Sequence, residues 1–167
     1  MNAYCFVDSP IGRLMISSNG TALTGLYMGA PSTSPGVDGW REDPAASPLR
    51  EAARQLEEYF SGKRRQFDLP LHMHGTDFQR QVWNALTEIP FGETRTYGEL
   101  ARQIGNPAAC RAVGLANGRN PIAVIVPCHR VIGADGSLTG FGGGLPRKAW
   151  LLRHETSGHL RTLDLAI

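Results

Sequence analysis

Cysteine is scarce: three residues in 167, an odd number. That argues against a disulfide framework and suits a reducing cytoplasm, where thiols stay free. No apolar run approaches the roughly 20 residues of a membrane helix. The N-terminus lacks a signal-peptide pattern, so no membrane partner is expected. Cys5, His72 and His74 are the obvious metal-ligand types of the N-terminal half. They form neither a CxxC nor a compact set of four, so no metal is expected. Dinucleotide and Walker motifs are missing, and with them any reason to expect a cofactor. There is no internal repeat and no low-complexity tract.

What is present is unevenly charged. The net charge is +2. Residues 1–90 carry 8 Lys/Arg and 10 Asp/Glu, whereas residues 91–155 carry 8 and 4. The basic excess of the second segment is a modest footprint for an anionic polymer.

Patterning predicts a small α/β part first. Strands over Tyr4 to Val7, Leu14 to Ser17 and Leu23 to Met28 form a β-meander, interrupted by Gly- and Asn-rich turns. Ala30 to Pro44 is rich in Pro, Gly and Ser and reads as a loop. Ser47 is placed to cap a helix with Pro48 at its first position. Leu49, Ala52, Ala53, Leu56 and Phe60 give that helix one apolar face. Residues 67–75 read as a strand or linker. Thr76-Asp77-Phe78-Gln79 and Thr96-Tyr97-Gly98-Glu99 are two capping boxes, each opening a helix. Gly105-Asn106-Pro107 turns the second of these into a further helix from Ala108 to about Asn117, a helix-turn-helix pattern. Asp135-Gly136 signals a hairpin, and Pro146 starts a closing helix through His154. The expected architecture is α+β/α/β. A small N-terminal α/β domain (1–75) precedes a helical, winged-helix-like C-terminal domain with the helix-turn-helix (76–167).

Chemistry concentrates at Val126-Pro127-Cys128-His129-Arg130. Ile122 to Val126 reads as a short buried strand that Pro127 ends, leaving Cys128 at its rim. His129 and Arg130 are the neighbours that would stabilise a thiolate, the reactive form of cysteine. Cys110 reads as structural.

Pro127-Cys128-His129-Arg130-Val131-Ile132-Gly133 resembles the active-site signature of the O6-alkylguanine-DNA alkyltransferases, the methylated-DNA–protein-cysteine methyltransferases. Arg111-Ala112-Val113-Gly114 with Asn120-Pro121, Phe91-Gly92-Glu93-Thr94 with Tyr97, and Leu151-Leu152-Arg153-His154-Glu155 are similar to further parts of that family. Together they span about Thr76 to Glu155. Asp8-Ser9-Pro10-Ile11-Gly12 is a weaker match.

The resemblance implies a DNA repair protein. An alkyl group moves from guanine O6 in duplex DNA to its own cysteine, once per molecule. It implies Cys128 as nucleophile, His129 as base through a water, Glu155 as the carboxylate orienting His129, and Tyr97 as proton donor to the purine. It implies Arg111 as the residue that flips the base, and Ala112 and Gly114 as parts of a slim helix in the minor groove. Asn120 would be the hinge, and Phe141, Gly142 and Lys148 would line the base pocket. Phe141 departs from the Tyr many relatives carry. The partner is double-stranded DNA containing O6-alkylguanine, met by a monomer. Cooperative binding along DNA stays open. The alternatives are a non-catalytic binder of alkylated DNA and a winged-helix regulator on the same scaffold. Retention of Cys128 and His129 argues against the first, and the scarcity of base-reading side chains on the second helix argues against the other.

Overall fold

Three antiparallel strands begin the chain: β1 (Ala3–Val7), β2 (Leu14–Ser18) and β3 (Leu23–Met28). The structure is a computed structural model describing residues 2–28, 37–138, 141 and 143–156. β1 follows directly from its period-two pattern, and Gly12 at φ 108° supplies the turn to β2 that a side chain would resist. A two-residue strand, β4 (Arg41–Glu42), adds to β1 in parallel, giving the order β3-β2-β1-β4. α1 (Leu49–Phe60) packs on β1 and β2.

Two details of α1 differ from the sequence reading. The N-cap is Pro48, not Ser47, and no side chain caps it. The Ser47 carbonyl instead accepts from the Ser18 hydroxyl. The buried face runs through Leu49, Ala52, Gln55, Leu56 and Tyr59. Tyr59 rather than Phe60 enters the core because four residues after Gln55 lie directly over it on a helix. Gln55 is admitted because its amide bridges Glu51 and both polar backbone groups of Asp68.

The chain divides into two compact units. Unit 1 is Met1–His74 with Pro121–Ile125, and unit 2 is Gly75–Asn120 with Val126–Ile167. Within unit 1, β3 is covered on its open edge by two short bridges, to Leu71 and to Ile122. The Leu26 amide donates to the Pro121 carbonyl at 2.9 Å.

The run Ile122 to Val126 is buried, but it is not a strand. The Ile125 amide bonds the Ala123 carbonyl at 2.8 Å, around Val124 at φ 71°. This is the left-handed γ-turn, a strained conformation for a β-branched residue. The Cys128 amide bonds the Val126 carbonyl at 2.8 Å around Pro127, closing a second γ-turn of the ordinary hand. Burial explains the apolar composition equally well for turn and strand.

Unit 2 begins with α2 (Asp77–Thr87), and both capping-box hydrogen bonds of Thr76 and Gln79 are present. Its buried stripe is Val82, Trp83, Ala85 and Leu86. The Trp83 indole donates to the Ala116 carbonyl at 2.9 Å. β5 (Arg95–Thr96) leads into α3 (Tyr97–Gln103), again with a complete capping box between Thr96 and Glu99. Gly105 turns the chain at φ 80°. A 3-10 turn, Pro107–Ala109, precedes α4 (Cys110–Gly118). α3 and α4 pack together as the helix-turn-helix, with α2 against α4.

The Asp135-Gly136 turn forms, with Gly136 bonded back to Gly133 and Gly133 to Ser137. It does not join two antiparallel strands among the described residues. β6 (Val131–Ile132) pairs in parallel with β5 instead. α5 (Leu145–Thr156) closes the described chain.

Candidate active site

A 3-10 turn, Cys128–Arg130, begins where the second γ-turn ends. Its three residues are nearly inaccessible: Cys128 is 5% exposed, His129 0% and Arg130 6%. Two asparagine side chains hold the backbone here. Asn120 donates from Nδ2 to the Val126 carbonyl at 2.7 Å. Asn117, on the buried face of α4, donates from Nδ2 to the Cys128 carbonyl at 3.4 Å.

Glu155, buried on α5, gathers the other two residues. His129 Nε2 lies 2.8 Å from Glu155 Oε2. Arg130 donates from Nε to Oε1 at 2.8 Å and from Nη2 to Oε2 at 3.0 Å, a two-pronged pairing that a guanidinium fits. Its Nη1 donates to the Ile89 carbonyl at 2.6 Å, where α2 ends.

Burial alone would raise the Glu155 carboxyl. His129 and Arg130 outweigh it and hold the group well below the ordinary carboxylate range. Burial lowers the His129 imidazole, with the charges of Arg130 and Lys148 adding to it and Glu155 opposing. The ring is therefore neutral near pH 7, and Glu155 stays ionised beside the Arg130 guanidinium. An ionised carboxylate only accepts, so the neutral ring carries its proton on Nε2. Nδ1 is then a bare acceptor. It is buried without a hydrogen-bond partner among the described residues, as is Asn117 Oδ1.

Cys128 rests as a thiol. Burial pushes Cys128 up to about 11, while a hydrogen bond from Asn120 and the charge of Lys148 pull the other way. This corrects the expectation that His129 and Arg130 stabilise a thiolate. Arg130 is committed to Glu155 and Ile89, and His129 is neutral. The cation that acts on Cys128 is Lys148, which is itself fully buried on α5 and donates to the Val131 carbonyl at 2.5 Å. Burial lowers that ammonium to about 8, with Cys128 opposing.

The structure thus gathers Cys128, His129, Glu155, Asn120 and Lys148. Tyr97 is half-buried as the first residue of α3. A Cβ added at half-buried Gly114 would lie 3.7 Å from its ring, an ordinary contact, so Gly114 on α4 neighbours Tyr97 without being required by it. Arg111 and Ala112 stand exposed on α4 with Leu115, which is 59% exposed. Cys110 is exposed at the start of α4 and is no core residue. Phe141 is half-buried ahead of α5. Gly142 lies outside the described residues. The sequence reading missed Asn117 and the partner of Arg130. Asparagine inside a helix was the available signal, because its amide otherwise competes with the backbone.

A buried cysteine precedes a histidine–carboxylate–guanidinium chain in the unit that carries a helix-turn-helix. Two family models match the chain. The 6-O-methylguanine DNA methyltransferase ribonuclease-like domain matches residues 2–73, and the DNA binding domain of the same name matches residues 77–157. A methylated-DNA–protein-cysteine methyltransferase of Mycobacterium bovis is 55% identical over 154 residues, covering 92% of each chain. One from Methanosarcina acetivorans is 53% identical, covering 92% of this chain and 98% of its own. The crystal structure of Mycobacterium tuberculosis O6-methylguanine methyltransferase has a TM-score of 0.89 at 53% identity and covers all of both chains. The Mycobacterium tuberculosis OGT in complex with DNA has a TM-score of 0.87 at 52% identity over 99% of each chain. The chain belongs to the 6-O-methylguanine DNA methyltransferase family, whose curated members here are methylated-DNA–protein-cysteine methyltransferases.

Proposed function

We propose that this protein repairs DNA by moving an alkyl group from O6 of guanine in a duplex to Sγ of Cys128. The observation that carries the reading is the buried chain Cys128, His129, Glu155 and Arg130, with the one ring nitrogen able to accept a proton left unpaired. The attacked atom is a saturated carbon, so the reaction is a displacement that needs a thiolate. The Cys128 proton passes through a water to His129 Nδ1. The S–C bond forms as the C–O6 bond breaks, and Tyr97 donates a proton to the departing purine. The imidazolium is stabilised by Glu155, and its proton balances the one Tyr97 gave. The product is a thioether that no neighbouring group can hydrolyse, so each molecule reacts once.

A base inside a duplex must first be turned out, at a cost of a few kcal/mol. Arg111 takes its place in the stack. The small residues Ala112 and Gly114 let α4 lie in the minor groove. Residues 76–167 form the DNA-binding and transfer domain, residues 1–75 the other. Asn120 is the hinge tying α4 to the cysteine turn, and Phe141, Gly142 and Lys148 line the base pocket. The free cysteines suit a reducing cytoplasm.

Cys128→Ser tests this reading with a duplex containing O6-methylguanine. Transfer should vanish while binding of that duplex persists. Residual transfer at more than a few per cent of the normal extent would contradict it.

A further inference from the structure

Among the described residues, two buried side-chain polar atoms have no hydrogen-bond partner: Asn117 Oδ1 and His129 Nδ1. One lies on the Cys128–Arg130 turn and the other on the side chain that donates to the first carbonyl of that turn, and this shared attachment carries the inference. The Asn117 amide already donates from Nδ2 to the Cys128 carbonyl. Nδ2 and Oδ1 belong to one small planar group, so Oδ1 also lies within a few ångströms of the peptide joining Cys128 to His129. The amide is oriented by chemistry, since its oxygen could not face that carbonyl.

Both atoms are acceptors. Nδ1 is an acceptor because Nε2 must donate to the Glu155 carboxylate. Neither can satisfy the other, and buried acceptors in native proteins are almost always met by a donor. The small donor that can serve two buried acceptors at once is a water. A water with both protons so directed turns its oxygen lone pairs outward, ready to receive a proton from a thiol.

We propose that Asn117 is a positioning residue for alkyl transfer: its Oδ1 and His129 Nδ1 together hold the water that carries the Cys128 proton to the imidazole. This rests on the reading of Cys128 and His129 given above and adds a residue to it. Asn117 acts through the water and touches no reacting atom. It also sits on the buried side of the helix whose exposed side bears Arg111. One element then serves both base displacement and proton removal.

The test is the single-turnover transfer rate from O6-methylguanine duplex, measured from pH 7 to 9.5 for the unchanged protein, Asn117→Leu and Asn117→Ala. The alanine variant covers the case in which leucine disturbs folding. The groups whose charge acts on His129 are Glu155, Arg130 and Lys148, and Cys128 is its neighbour in the chain. All four are the same in each protein, so ratios of rates isolate Asn117. At pH 7 each variant should be slower by about 10²-fold, the low end for a lost proton-transfer function, with duplex affinity unchanged. The deficit should shrink roughly tenfold per pH unit, because hydroxide takes the thiol proton without the relay. A deficit constant across pH would make Asn117 merely structural and overturn the proposal, as would no deficit. Failure of the unchanged protein to alkylate Cys128 would overturn the parent reading and this one together.

Discussion

Cys128 is buried, and on the proposed reading it is also the residue that reacts. Its thiol stands near 11 because burial disfavours the thiolate. On the proposed reading, reactivity comes from delivery of the proton to His129, not from a standing charge. General thiol reagents should therefore ignore it. Iodoacetamide at neutral pH should label exposed Cys110 first and leave Cys128 and buried Cys5, which is also raised to about 11, largely untouched. Peptide mapping of the labelled protein checks this, and rapid labelling of Cys128 would mean an activated resting thiolate. The sequence made Cys128, His129 and Glu155 visible as residue types in a recognisable order. It could not show where Arg130 points. Adjacency suggested the thiol, but the 3-10 turn sends the guanidinium to Glu155 and Ile89.

At the scale of elements, α4 divides its labour between two faces. Val113, Ala116 and Asn117 are buried, whereas Arg111, Ala112 and Leu115 face solvent. If Arg111 replaces an extruded base, its loss should matter only when extrusion is needed. Arg111→Ala should slow repair of duplex O6-methylguanine by about 10-fold or more, equivalent to the few kcal/mol of unstacking that goes unassisted in part. Reaction with free O6-benzylguanine should change little. Equal slowing on both substrates would make Arg111 a packing residue. Helix starts were legible because Thr76 and Thr96 each carry their own cap chemistry within four residues. The segment from Ile122 to Val126 was not. An apolar run reports burial, and only the Val124 backbone at φ 71° reveals a turn. β5 and β6 were equally hidden, since each is two residues long and pairs across the sequence.

For the whole molecule, the buried ionisable groups set how stability depends on pH. Folding holds the His129 imidazole below its ordinary 6.5. As pH falls through that value, the unfolded chain takes up a proton that the native state refuses, so stability declines. Glu155 adds a second loss below its ordinary 4.5, because its native carboxylate resists protonation. The melting midpoint should fall between pH 7 and 5, and His129→Gln should flatten that first decline while leaving the one below 4.5. A wild-type midpoint level from pH 7 to 5 would show that His129 is not buried neutral. Element patterning suggests a boundary near residue 75, and the first compact segment ends at His74. The return of Pro121–Ile125 to unit 1 was not legible, because it depends on backbone bridges to β3 that no residue type announces.

The central claim is that Cys128 accepts the alkyl group once and keeps it. Its most direct test is incubation with excess duplex containing O6-methylguanine, followed by mass mapping of the peptides and assay of the DNA. The account predicts one added methylene on the Cys128 peptide, unmodified Cys5 and Cys110 peptides, and restored guanine equal in amount to the protein. Restoration beyond one equivalent, or the added mass on another cysteine, would contradict it.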